Sequence, residues 1–242
     1  MPNPLLATKF HVPTLRASLV KRDRLVERLN QSRTNALTVV SAPAGFGKTT
    51  LLSEWLHQTK LPAHWLSLDE SDNDLTRFWT YVIAALQKTQ PEIGEATIAM
   101  LHSIDSISFE SFLIPLINEI ASLTDSIVLI LDDYHVITDR LIHRSLVFLL
   151  DHLPLQLHLV IASRIDPPLP LARLRARNQL VELRSTDLRF TVAETAMFLH
   201  QSMSLPLSEK QFSRELRAGL LDYRWQRFRC GMQKMFQRSS SR

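Results

Sequence analysis

The sequence predicts an α/β three-layer sandwich around a five-stranded parallel sheet. Three observations predict it. The run Ser126-Ile127-Val128-Leu129-Ile130-Leu131 is apolar without alternation, the pattern of a strand covered by helices on both faces. Shorter apolar runs at 36–41, 63–68, 157–162 and 180–183 are separated by segments of helical periodicity. The first of these runs leads directly into Ala42-Pro43-Ala44-Gly45-Phe46-Gly47-Lys48-Thr49-Thr50 and then a helical pattern, Leu51 to Gln58.

Strand, glycine-bearing loop, Gly-Lys-Thr and helix, in that order, make a phosphate-binding loop. The loop's backbone N–H groups would point inward as an anion nest, and the helix N-terminus adds its positive dipole end. Lys48 would neutralise the β and γ phosphates, and the Thr49 hydroxyl would hold Mg²⁺. The expected ligands are ATP or ADP with Mg²⁺. Ala42 stands where such loops usually have their first glycine. The competing reading is a plain turn between strand and helix, which the clean flanks oppose.

A phosphate loop needs carboxylates beside it. The 126–131 run ends in Asp132-Asp133, about 85 residues after the Gly-Lys-Thr. Asp132 is expected in the Mg²⁺ shell, and Asp133 is expected to orient or deprotonate the attacking water. The 157–162 strand ends in Ser163-Arg164. Arg164 could reach the γ-phosphate, or pair locally with Asp166.

The remaining elements follow in order. Residues 5–13 read as an extended lead-in, and Leu25, Val26 and Leu29 mark a helix. In several phosphate-loop ATPases such a lead-in packs over the adenine with a basic residue at the helix start, and Arg22 is the candidate. Leu51, Leu52, Trp55 and Leu56 read as core. The acidic group Asp69 to Asp74 reads as a solvated turn with Asp74 capping a helix over 75–87, or as a contributor to the metal shell. Phe78, Trp79, Val82, Ile83 and Leu86 form that helix's buried stripe. Helices are expected at 94–102, at 109–123 with Pro115 as a possible kink, at 141–153 and at 171–177. Thr191-Val192-Ala193-Glu194 is a capping box that opens a further helix. The expected division is a nucleotide domain at 1–190, the start of a helical module at 191–210 and an atypical tail at 211–242.

The 242 residues and 45% hydrophobic content suit a packed core. A lone cysteine, Cys230, excludes an internal disulfide and points to the cytoplasm. No leader or membrane-length apolar run is seen. Nine histidines are scattered without zinc-like spacing. The net charge of +4 belongs to the tail: from Lys210 onward there are nine Lys/Arg against two Asp/Glu, and the rest holds 19 against 22. The body therefore offers no electrostatic case for nucleic acid.

Taken together, Thr8-Lys9-Phe10-His11-Val12-Pro13, the phosphate loop, Trp65-Leu66-Ser67-Leu68-Asp69-Glu70, Leu131-Asp132-Asp133-Tyr134-His135-Val136-Ile137, Ile161-Ala162-Ser163-Arg164 and Leu188-Arg189-Phe190-Thr191 occur in the order of a known family. Over about residues 5–210 the chain resembles the ATP-binding module of the large MalT-type regulators. These are signal-transduction P-loop ATPases with a LuxR-type DNA-binding domain far downstream. The resemblance implies a P-loop NTPase sheet of order 5-1-4-3-2, with the Arg164 strand inserted between the loop strand and the acidic strand. It implies an ATP/ADP switch with slow hydrolysis that resets it. It also implies self-association in the ATP form, and DNA bound only through a C-terminal domain for which this chain is too short.

The resemblance fades after Lys210, where a Gly-Trp helix is expected and Arg217-Ala218-Gly219-Leu220-Leu221-Asp222-Tyr223-Arg224-Trp225 stands. A shifted reading frame accounts for both the lost pattern and the jump in charge. A basic, aromatic-bearing arm for nucleic acid or acidic lipid is the rival. For the whole chain, the alternatives to a signalling module are a stand-alone ATPase or phosphotransferase, and a truncated fragment without function.

Overall fold

The computed structural model describes residues 4–15, 19–59, 62–101 and 108–203, with side chains to 198. The tail after Lys210 lies outside the described residues. The chain divides into two compact units, one of residues 1–14 and 23–188, the other of 15–22 and 189 onward.

The first unit is the predicted sandwich. Its elements are α1 (Asp23–Gln31), β1 (Leu37–Ser41), α2 (Lys48–Gln58), β2 (Ala63–Ser67), α3 (Leu75–Leu86), α4 (Glu95–Leu101), α5 (Phe109–Ala121), β3 (Ile127–Asp132), α6 (Arg140–Asp151), β4 (Leu157–Ser163), α7 (Leu171–Ala176) and β5 (Leu180–Arg184). The five strands are all parallel, in the order β2-β3-β4-β1-β5. This is the expected order, with β4 inserted between the loop strand and the acidic strand.

Unalternating hydrophobicity is explained by two cores. Leu129 and Leu131 of β3 face a core with Phe78, Trp79, Phe112, Leu116 and Leu146 from α3, α5 and α6. Val128 and Ile130, on the opposite face, join Leu25, Leu29, Leu51, Leu52 and Trp55 from α1 and α2. Every residue of β3 is buried, so each face needs an apolar side chain. Trp55 Nε1 donates to Asn30 Oδ1 at 2.9 Å, which satisfies the indole and ties α2 to α1. Helix α5 runs through Pro115 with Phe112, Leu113, Leu116, Ile117 and Ile120 buried.

Two expectations change. The 5–13 lead-in is not extended throughout: residues Ala7–Phe10 form a 3₁₀ turn that packs against β2. The acidic group is not simply solvated. Asp72 is fully buried, and its carboxylate takes Lys9 Nζ at 2.5 Å and Arg77 Nε at 3.3 Å, while Lys9 also meets Asp69 at 2.7 Å. Lys9 is itself 5% exposed and lies 4.7 Å from the centre of the Tyr81 ring. Asp69 and Asp72 cap their own turn, and Asp74 caps α3 by accepting from Arg77 N at 2.7 Å. These acids are committed to lysine, arginine and backbone, which removes them from a metal shell. The signal was hidden because Lys9 and Asp72 are 63 residues apart.

In the second unit, Thr191 and Glu194 make the predicted capping box. Thr191 N donates to Glu194 Oε2 at 2.8 Å and Glu194 N to Thr191 Oγ1 at 3.2 Å. The box opens α8 (Val192–Met203).

Two outcomes test this packing. Lys9→Ala strands a buried carboxylate and should lower unfolding free energy by about 3–5 kcal/mol in urea titrations. The second concerns His64, buried beside Thr89 and held down to about 4 by burial. His158, buried against Thr38 and the Asn35 carbonyl, is depressed for the same reason. An unfolded histidine protonates near 6.5, so below that pH the unfolded chain binds more protons than the native one. The contribution of these histidines to stability should be full above pH ~6.5 and fall as pH drops toward ~4, with His64 contributing on the order of 3 kcal/mol. His64→Leu should flatten that slope.

Candidate functional site

The C-terminal ends of β1, β3 and β4 lie side by side at one edge of the sheet, where parallel α/β sheets bind ligands. The loop from Ala42 to Gly47 leaves β1 there. Gly45 and Gly47 have φ of +83° and +76°, the left-handed region that a side chain disfavours. A Cβ on Gly45 would meet nothing within 4 Å, so backbone conformation and not space demands that glycine. Ala42 is absent from the positive-φ positions, and its N–H donates to Ser163 O at 3.2 Å as an extension of the β1–β4 ladder. Alanine therefore carries no left-handed backbone strain where a glycine is usual.

Gly47 caps α2, and Lys48 is its first residue. The Lys48 ammonium curls back over the loop and donates to the carbonyls of Ala42 at 2.8 Å and Pro43 at 3.2 Å. Burial lowers its pKa, Asp133 and Asp132 oppose that, and Arg164 adds to the lowering. All three sequence-predicted charges thus act on the lysine of the loop.

Thr49 and Asp132 meet. The hydroxyl donates to Asp132 Oδ2 at 2.9 Å, across the intervening strand β4. Asp132 is 3% exposed, and burial, then the Asp133 charge, pushes its carboxyl up to about 6; Thr49, the Asp133 N–H and Lys48 pull the other way. A half-buried pair of neighbouring carboxylates with one hydroxyl oxygen is a hard-oxygen donor set, and magnesium takes one or two carboxylates plus phosphate and water. The residues present fit that ion.

Asp133 sits in the left-handed region, φ 57° and ψ 32°, and starts a 3₁₀ turn, Tyr134–Val136. Its carboxylate is 46% exposed, and its N–H donates to Asp132 Oδ1 at 3.0 Å. Arg164 is exposed and makes no hydrogen bond or ion pair among the described residues. The local Arg164–Asp166 pair does not form: Asp166 instead accepts from Arg184 and from Ser41 Oγ. Arg22 belongs to the second unit, where its guanidinium lies 5.1 Å from the centre of the Phe190 ring.

Sequence reasoning missed His135. Its ring lies 3.7 Å from Asp133 Oδ1, and burial, Arg164 and Lys48 lower its pKa against Asp133. It also missed Asn73, whose side chain donates to Val136 O at 2.7 Å and accepts from Thr138 N at 2.6 Å and Asp139 N at 3.1 Å, fixing the segment after Asp133. The available signal was the resemblance motif containing His135; for Asn73, 63 residues from Val136, there was none.

Because the native Asp132 holds its proton more tightly than an unfolded aspartate, its ionisation destabilises the fold as pH rises through the interval from about 4 to about 6. Asp132→Asn should therefore raise the unfolding free energy of nucleotide-free protein at pH 7.5 by roughly 1–3 kcal/mol, read as a higher urea midpoint. A lower midpoint would refute this account of the buried charge.

No family model matches the chain. Over 210 residues, 87% of its length, it is 37% identical to the HTH-type transcriptional regulator MalT of Serratia proteamaculans, and equally to that of Cronobacter sakazakii. These alignments cover 23% of each relative, so the chain spans about a quarter of the curated relatives it matches. Among solved structures, Cdc6p from Pyrobaculum aerophilum aligns over 86% of this chain and 57% of its own, at 16% identity and a TM-score of 0.50, a likeness of fold alone. With the loop, the parallel sheet of order 2-3-4-1-5 and these alignments, the chain is a homologue of the MalT-type regulators over most of its length, on a P-loop ATPase fold.

Proposed function

We propose that this chain is an ATP-binding regulatory module that works as an ATP/ADP switch within a transcriptional regulator of the MalT type. The observation that carries the reading is the Thr49–Asp132 hydrogen bond, which brings the phosphate loop and the acidic strand to one point. In this reading Ala42 to Thr50 cradle the phosphates, and Lys48 leaves the Ala42 and Pro43 carbonyls for the β and γ oxygens. Thr49 and Asp132 hold Mg²⁺, which when bound neutralises phosphate charge. Asp133 orients the attacking water. Arg164, which has no hydrogen-bond or ion-pair partner among the described residues, reaches the γ-phosphate and distinguishes ATP from ADP. Arg22 is proposed at the adenine end.

Hydrolysis in this scheme is slow and resets the switch. Support for regulation over metabolism comes from the relatives, which are named as transcriptional regulators. DNA contact then belongs to other domains of such a regulator, and the ATP form self-associates. The described helices include none long and apolar enough to cross a membrane. A cytoplasmic setting accords with the lone cysteine. The proposed organisation keeps 1–190 as the nucleotide domain, with the helical module beginning at 191.

Lys48→Ala should weaken ATP binding at least tenfold by calorimetry, since it removes the phosphate counter-charge. Asp133→Asn should keep ATP affinity within about threefold and slow hydrolysis by 10²-fold or more. Turnover by wild type well above about one per second would favour a metabolic catalyst instead.

A further inference from the structure

The 3₁₀ turn after β3 holds a group that the scheme above leaves unused. His135 Nδ1 is buried and has no hydrogen-bond partner. It lies 3.7 Å from Asp133 Oδ1, beyond a hydrogen bond but within reach of one after a shift of about 1 Å. A buried, unsatisfied polar atom is costly and calls for an explanation. The turn that carries it is well fixed. Val136 N donates to Asp133 O at 3.1 Å, Tyr134 OH meets His143 Nδ1 at 2.7 Å, and Asn73 clamps Val136, Thr138 and Asp139. Asp133 itself keeps a left-handed backbone, a conformation that clusters at functional sites. The charges that act on the ring are Arg164, Asp133 and Lys48, which places it inside the nucleotide edge.

We propose that His135 is a positioning residue for Asp133: its Nδ1–H holds the Asp133 carboxylate on the water that attacks the terminal phosphate. The proposal rests on the nucleotide reading above. In the step it serves, the water oxygen forms a bond to the γ-phosphorus while the bond from that phosphorus to the β–γ bridging oxygen breaks. ADP and inorganic phosphate result, and the water's proton passes to the Asp133 carboxylate and then to solvent. The imidazole donates a hydrogen bond and keeps its proton throughout. An exposed carboxylate without such a partner samples several orientations, and only some of them face the water.

The test compares wild type with His135→Ala, His135→Asn (an amide N–H in place of Nδ1–H) and His135→Phe (the ring without nitrogens). The probes are ADP, ADP with aluminium fluoride as a mimic of the transferring phosphoryl group, and ATP, all with Mg²⁺. The Ala and Phe variants should bind ADP within about twofold of wild type, capture ADP–aluminium fluoride at least tenfold more weakly and hydrolyse ATP about tenfold more slowly. His135→Asn should recover most of both losses. Asp133→Asn combined with His135→Ala should be no slower than Asp133→Asn alone. Wild-type capture and hydrolysis in the Ala and Phe variants, additive losses in the double variant, or wild type gaining nothing from aluminium fluoride would each overturn the assignment. If wild type binds neither ADP nor ATP, the nucleotide reading itself fails; if it binds both and only the His135 variants are silent, the positioning role alone fails.

Discussion

One hydrogen bond, from the Thr49 hydroxyl to Asp132, joins the two halves of the proposed nucleotide edge. It spans from the first turn of α2 to the last residue of β3, with β4 between their strands. Here that contact is held by a parallel sheet, with β4 between β1 and β3 and helical layers on both faces. The two apolar cores are in this sense the support for one polar contact. The cost is visible in Asp132, whose carboxyl is buried beside Asp133 and pushed up to about 6. A bound cation and phosphate would relieve what the fold alone leaves unbalanced. Functional edges commonly hold such unrelieved charge.

Farther along the same edge, the C-terminal end of β2 solves its charge problem internally. Lys9, Asp69, Asp72 and Arg77 form a closed network at the end of β2, with Tyr81 beneath the lysine. Every carboxylate there has a cation or a backbone donor. The contrast separates two acidic clusters that look alike as letters: Asp69, Asp72 and Asp74 are satisfied by protein, whereas the Asp132 and Asp133 carboxylates lean on one threonine, one backbone N–H and a nearby lysine. Asn73 connects the two regions, because it follows the satisfied cluster and clamps the segment after Asp133.

Much of the fold was legible because its signals are local. A strand buried on both faces has to be continuously apolar, and Ile127 to Leu131 is. A phosphate loop needs glycine at left-handed positions, and Gly45 and Gly47 occupy them. Strand order came from the resemblance, since nothing local reports which strands are neighbours. The illegible parts are pairings between distant residues. Lys9 with Asp72, Asn73 with Val136, and Arg184 with Asp166 depend on where the topology brings loops together. His135 was one histidine among nine, and only its burial next to Asp133 sets it apart. Arg164 shows the converse: its pairing with Asp166 was plausible from adjacency, but Arg184 from β5 takes that acid.

The claim on which the rest depends is that this sheet edge binds nucleotide together with a divalent cation. Calorimetric titration of ATP into the wild-type chain, once with Mg²⁺ and once with excess chelator, tests it directly. The account predicts one-to-one binding that weakens markedly without the cation, because Asp132 and the phosphates then face each other unshielded. Absence of binding in both titrations, or an affinity indifferent to the cation, would contradict it.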